Sequence, residues 1–215
     1  MILIPKLLRE TSAALEYGAT QQGVPWPWNV PDGEWTYELF RQLPEDGNRY
    51  EVIGGKLIVS PSPVVSHQRV VHKLGYFLED WVRKTGSGEV FPGPLDVILS
   101  TATPKQGYAE PDLLFVAKER LCVITSKNVQ GAPDLVVEIL SPSTARYDWL
   151  EKKTAYAAAG VTHYWVVDPD HKVLTAFRLQ AGQYAFADRY ESEAVFEPAG
   201  FPGLRINLAE VWGKV

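Results

Sequence analysis

Cysteine is almost missing from this chain. Cys122 stands alone among 215 residues, so no disulfide framework can form within it. That usage suits a reducing compartment, and a cytoplasmic location is the expectation. Long apolar runs are missing as well. Nothing approaches the roughly 20 apolar residues of a membrane span. The opening MILIPKLLRE is interrupted by Pro5, Lys6, Arg9 and Glu10 too early for the apolar segment of a signal peptide. A soluble protein without a membrane partner is expected. There is no glycine-rich phosphate loop, no nucleophile elbow and no Cys/His zinc pattern. Surplus positive charge is lacking too. The formal net charge of −5 argues against a purely electrostatic coat for a polyanion, while a local basic rim remains compatible with it.

What is present is an ordinary globular composition, 46% hydrophobic and 22% charged, of a length that suits one domain with a sizeable core. The chain is organised around GAPDLVVEILSPSTARYDWLEKKTAYAAAGVTHYWVVD, residues 131–168. Leu135–Leu140 is a short apolar run bounded by turn residues, the pattern of a buried strand. Glu138 interrupts it. A carboxylate there is costly unless it is paired or holds a metal. Ser141-Pro142-Ser143-Thr144 stops the strand and offers caps for a helix. That helix carries Asp148, Lys152 and Tyr156 at four-residue intervals, on one face. It ends near Gly160, and Thr162–Val167 reads as a second strand.

The rest of the chain supplies other elements. Residues 1–32, with the proline-rich VPWPWNVPDG, read as an extended arm that Trp26 and Trp28 could pin to the body or to a partner subunit. Residues 33–215 form the domain. EWTYELFRQL has helical spacing and stops at Pro44. Two β-rich runs flank Gly54-Gly55, a tight-hairpin signature, and Glu51 lies in the first. Ser66–Lys84 is the longest helical pattern, with His67 in its first turn. Val90–Phe91, Leu95–Leu99 and Leu113–Val116 read as strands, and Thr101–Gln106 as a loop. Lys118–Gln130 reads as mixed surface. Lys172–Leu179 and Gln183–Tyr190 alternate as a solvated antiparallel pair turning at Ala181-Gly182. Leu208–Trp212 reads as a last helical turn. Strands and helices do not alternate regularly, so a mixed sheet flanked by helices is expected, with this hairpin added at its C-terminal side.

Asp112 and Glu138 are the residues on which chemistry could turn. Each sits in or beside a short apolar strand. On neighbouring strands at matching registers, their carboxylates would lie about 5 Å apart. Two hard oxygen ligands would suit Mg²⁺ or Mn²⁺. Lys152 nearby could stabilise charge on a phosphate or orient attacking water. The plainer alternatives stand beside this. Pro111-Asp112 is one of four Pro-Asp pairs, and such pairs often only cap a strand. Glu138 could be satisfied by an ion pair to Lys152 with no metal. His67 and His72 are five apart, unlike helical metal ligands. A capping or hydrogen-bonding role is expected for His67 and surface exposure for His72, while His163 and His171 show no partner pattern.

RYEVIGGKLIVSPSPVVSHQRVVHKL, then EPDLLFV, then the 131–168 stretch resemble the Uma2 family (domain of unknown function 820), restriction-endonuclease-like proteins, over roughly Trp35 to Leu179. The resemblance implies the PD-(D/E)XK nuclease fold and a metal-dependent endonuclease acting on DNA. By position it implies Asp112 and Glu138 as metal ligands for Mg²⁺ or Mn²⁺, with Lys152 and Glu51 completing the catalytic set. His67, Asp148 and Tyr156 would support them. Arg146, Lys153 and Arg69 are candidates for phosphate contact. The lysine that the superfamily pattern places two residues after Glu138 is Leu140 here, and Lys152 on the following helix is its substitute. A homodimer is expected. The alternative is a catalytically inactive nuclease-fold module that binds DNA or a protein partner, with a Glu138–Lys152 ion pair filling the site.

Overall fold

The computed structural model describes residues 30–99, 107–141 and 145–213. The arm's Trp26 and Trp28, the loop at 101–106 and the caps at 142–144 lie outside the described residues.

At the centre is a six-stranded mixed sheet in the order β11-β10-β9-β8-β6-β3. Its strands are β3 (Gly88–Pro92), β6 (Leu113–Ala117), β8 (Leu135–Ile139), β9 (His163–Asp168), β10 (Val173–Gln180) and β11 (Gln183–Glu191). β8 runs antiparallel to β6 and parallel to β9. Every residue of β8 is buried, which is why its sequence is a continuous apolar run: both faces are covered. Successive side chains alternate between those faces. Leu113, Phe115, Leu135, Val137, Ile139 and Trp165 join one core cluster with the long helix α2 (Val65–Thr85). Leu114, Val116, Val136, Tyr164 and Val166 face the other way, into a second cluster.

That second cluster is closed by a separate five-stranded sheet, order β2-β1-β5-β4-β7. It comprises β1 (Arg49–Ile53), β2 (Lys56–Ser60), β4 (Val97–Leu99), β5 (Gly107–Ala109) and β7 (Val129–Gln130). The hairpin β1–β2 turns at Gly54 and Gly55, whose φ angles of 61° and 82° demand residues without a Cβ. Tyr50 and Val52 pack outward against Phe40 and Tyr108. Ile53 packs inward, and by alternation Arg49 and Glu51 take the same inner face. The helix after β8 starts as α3 (Ala145–Tyr147), widens into a π-helical turn at Asp148–Lys152 and continues as α4 (Lys153–Ala159). Gly160 ends it in the left-handed conformation, φ 91°. A short pair, β12 (Val195–Phe196) with β13 (Ile206–Asn207), and the helix α5 (Leu208–Trp212) complete the α2 side. No described helix is long and apolar enough to cross a membrane.

Four expectations change in detail. The strands form two large sheets, because β1 pairs with β2 on one side and with β5 on the other, and β5 pairs with β4, rather than any of them joining β6 or β8. The helix expected in EWTYELFRQL is one turn, α1 (Tyr37–Phe40); beyond it Gln42 and Leu43 bond to carbonyls three residues back, which tightens and ends it. The 118–130 segment is not all surface, since Asn128 and Val129 are buried in β7's layer. In the β10–β11 hairpin only β11 is largely exposed. β10 buries Leu174, Thr175, Ala176 and Phe177 between its neighbours.

Candidate active site

Glu138 belongs to the even-numbered set of β8, so it points into the second cluster, away from α2. The β6–β8 register pairs Leu113 with Val137. Continued by one residue, it sets Asp112 opposite Glu138, and both are buried. Glu51 arrives on the inner face of β1. The helix after β8 presents Asp148, Lys152 and Tyr156, all buried. These groups come from β1, the start of β6, β8 and the helix after β8, and border one cavity of about 180 Å³, except Tyr156, which bonds to Glu138.

Lys152 is the hub. Its Nζ lies 2.7 Å from Oε2 of Glu51, 3.2 Å from Oε1 of Glu138 and 3.2 Å from Oδ1 of Asp148. Tyr156 donates its hydroxyl hydrogen bond to Oε1 of Glu138 at 2.7 Å. Glu51 accepts the backbone N–H of Glu110 on its other oxygen, 2.9 Å. Tyr164 donates to the Asp148 carbonyl, 2.7 Å, which ties the π-helical turn to β9.

Asp112 is held separately. Arg49 Nη1 reaches its Oδ1 at 2.7 Å. His67 Nε2 stands 3.0 Å from Oδ2, and the N–H of Ile139 donates to the same oxygen at 2.8 Å. Arg49 also donates to the Glu110 carbonyl. Nδ1 of His67 is buried and has no hydrogen-bond partner among the described residues.

The cavity is lined by four carboxylates, Glu51, Asp112, Glu138 and Asp148, and by two side chains with permanent positive charge, Arg49 and Lys152. Burial raises the pKa of Asp112, but the His67 hydrogen bond and the Arg49 charge outweigh it and hold it down at about 2. Glu138 is pushed the other way, well above the carboxylate range. Burial is the main cause; Lys152 opposes it, and Asp148, Asp112 and Glu51 add to it. One ammonium shared among three carboxylates cannot satisfy each of them. Burial alone would lower the Lys152 pKa, yet Glu138, Glu51 and Asp148 carry it well above its usual value.

The structure therefore brings together Asp112, Glu138, Lys152, Glu51, His67, Asp148 and Tyr156. Of the three candidate phosphate contacts, Lys153 is engaged elsewhere, with its Nζ 3.7 Å from the centre of the Phe177 ring. Arg146 and Arg69 are exposed, as is His72. His171, which showed no partner pattern in sequence, pairs with Asp168 at 2.8 Å in an exposed turn. Sequence reasoning missed Arg49. The signal was there: two residues before Glu51 on a strand, it must share the Glu51 face. Glu110 was missed as well. It lines a larger cavity of about 630 Å³ that also contains Arg49 and Asp112. Burial pushes the Glu110 carboxyl up to about 7, against the pull of Arg49.

A mixed sheet flanked by helices, with Asp112 just before β6 and Glu138 on the neighbouring β8 turned toward one cavity, has the architecture of a restriction-endonuclease-like protein. Comparison with known proteins agrees. Residues 37–209 match the Uma2 family, described as "Putative restriction endonuclease", and the chain belongs to that family. A solved structure, "a putative nuclease belonging to DUF820" from Anabaena variabilis, superposes with a TM-score of 0.66 at 20% identity, over 81% of this chain and 96% of that one; at that identity the likeness speaks for the fold. No curated protein matches the sequence.

Proposed function

We propose that the chain is a divalent-metal-dependent endonuclease that hydrolyses DNA phosphodiester bonds. One observation carries the reading: Asp112, immediately before β6, and Glu138, on the adjoining β8, border the same small cavity as Lys152 and Glu51. Among the described residues no three His, Cys, Asp or Glu side chains are arranged to hold an ion. The donor chemistry nonetheless fits Mg²⁺ or Mn²⁺, because such ions are commonly bound through one or two carboxylates with water and substrate oxygens completing the shell.

Asp112 and Glu138 would hold the ion. Bound there, it would polarise the phosphoryl oxygen and lower the pKa of a water nucleophile. The chain's own groups do the rest. Arg49, His67 and the Ile139 N–H fix both oxygens of Asp112. Tyr156 fixes the Glu138 carboxylate through Oε1. Lys152 keeps a buried ammonium at the cavity wall, where it would stabilise negative charge developing on the phosphate more strongly than it could in bulk water. Glu51 and Asp148 hold that ammonium in place from two sides.

The test is cleavage of plasmid DNA with Mg²⁺ or Mn²⁺, against EDTA and against Glu138→Gln. Metal-dependent cleavage that the substitution abolishes is expected; full activity in Glu138→Gln overturns the mechanism. A second reading, a non-catalytic nuclease-fold module binding DNA or a protein partner, is favoured by Lys152 itself, whose ammonium already lies among the carboxylates. It requires that calorimetric titration with Mn²⁺ show no binding.

A further inference from the structure

Helix α2 runs from the site outward. His67 in its first turn contacts Asp112. Gln68, the next residue, lines both the larger cavity beside Arg49 and Asp112 and a groove of about 460 Å³ on the outer side of α2. Gln68, Arg69, His72 and Lys73 form one wall of that groove, and Val211 of α5 stands on the other. No carboxylate lines it. Arg69, His72 and Lys73 are exposed, and among the described residues none of them has an ion-pair partner. Lys84, farther along the same helix, is bonded to Asp80 at 2.6 Å. Tyr76, 64% exposed, continues the face, three and four residues past Lys73 and His72. Within a chain of net charge −5, this face of α2 is a basic strip without counter-charges among the described residues, and it begins where the site ends.

We propose that this face of α2 docks the phosphate backbone of a DNA duplex alongside the scissile bond; the assignment rests on the nuclease reading above. Charge complementarity selects the occupant: a basic wall without counter-charges attracts a polyanion. Length suits it as well. From Gln68 to Tyr76 the helix rises about 12 Å, roughly three to four base pairs at about 3.4 Å each. Arg69 and Lys73, one turn apart, present two cations on a rigid element, and Tyr76 closes the strip with an aromatic hydroxyl. Such contacts position a duplex without reading its sequence.

The experiment is fluorescence anisotropy with a labelled DNA duplex of random sequence, in Ca²⁺ and in EDTA, across a salt series. It compares the wild type, Arg69→Ala/Lys73→Ala, and the charge-matched control Lys84→Ala/Arg205→Ala, with thermal midpoints recorded for all three. The first double variant is expected to bind roughly tenfold to a hundredfold more weakly at 0.1 M salt, and its log K against log salt slope to flatten by about 1.8, at about 0.9 for each charge removed. The control keeps the wild-type slope. Wild-type affinity and slope in Arg69→Ala/Lys73→Ala overturn the docking surface and leave the nuclease reading standing if plasmid cleavage persists. An equal loss in the control overturns it too, by showing a net-charge effect. Absence of both binding and cleavage in the wild type removes the nuclease reading and this surface together.

Discussion

Nζ of Lys152 stands 2.7 Å from Oε2 of Glu51, although one group belongs to the helix after β8 and the other to the first hairpin. The contact bridges the two large sheets' shared interior. Breaking it leaves buried carboxylates with no ammonium among them. Lys152→Met, similar in volume, is expected to destabilise the metal-free protein by about 3–5 kcal/mol, the usual result of removing one partner from a buried ion pair. Because the vacated charge is cationic, Mn²⁺ should raise the thermal midpoint of Lys152→Met more than that of the wild type. Differential scanning fluorimetry with and without the ion measures both. An equal response in the two proteins would count against ion binding at this cluster.

Glu138→Gln tests the same cluster from the acidic side. The folded pKa of Glu138 lies well above its unfolded value. Such a group contributes its stability below the unfolded pKa, near 4.3, and that contribution is lost as pH rises toward the folded value. The glutamine variant keeps the shape and removes the titration. Metal-free Glu138→Gln should therefore be at least as stable as the wild type at pH 7–8, and its advantage should shrink as pH falls toward 4. Midpoint temperature against pH is the readout, and a variant less stable at pH 8 than at pH 5 relative to wild type would contradict it.

Tyr156→Phe isolates one hydrogen bond. The hydroxyl bonded to Oε1 of Glu138 is lost, while the ring keeps its place against Tyr164. A cost of about 1–3 kcal/mol is expected from urea denaturation, the range for leaving a buried acceptor short of a donor. Cleavage should fall several-fold with little change in duplex affinity, since the residue orients a ligand and does not touch DNA.

His163 predicts an opposite acid limb. Burial, with a smaller push from Arg178, lowers its pKa to about 4, and the ring packs on Phe201 at 4.8 Å between centres. The unfolded chain binds a proton near pH 6.5 and the folded one only near 4. Stability is therefore lost as pH falls from about 6.5 to 4. His163→Phe should flatten that limb and leave the midpoint above pH 7 little changed.

Much of this was readable along the chain. Glu138 inside Leu135–Leu140 marked a buried carboxylate in need of a partner, and the four-residue spacing of Asp148, Lys152 and Tyr156 put those side chains on one face. The Gly54-Gly55 hairpin and the long helix α2 followed from turn chemistry and period. Local pattern determines such features because strand alternation and helical pitch act within a few residues. Tertiary structure alone decided that the hairpin joins a second sheet, which turns Arg49 and Glu51 inward; that a π-helical turn carries Asp148 and Lys152; and that one ammonium is shared by Glu51, Glu138 and Asp148. The hairpin's place and the shared ammonium are meetings of segments far apart in the chain, fixed by which faces bury together, and no single stretch of sequence encodes where its partner will lie; the π-helical turn is local, but Tyr164 of β9 ties it from outside.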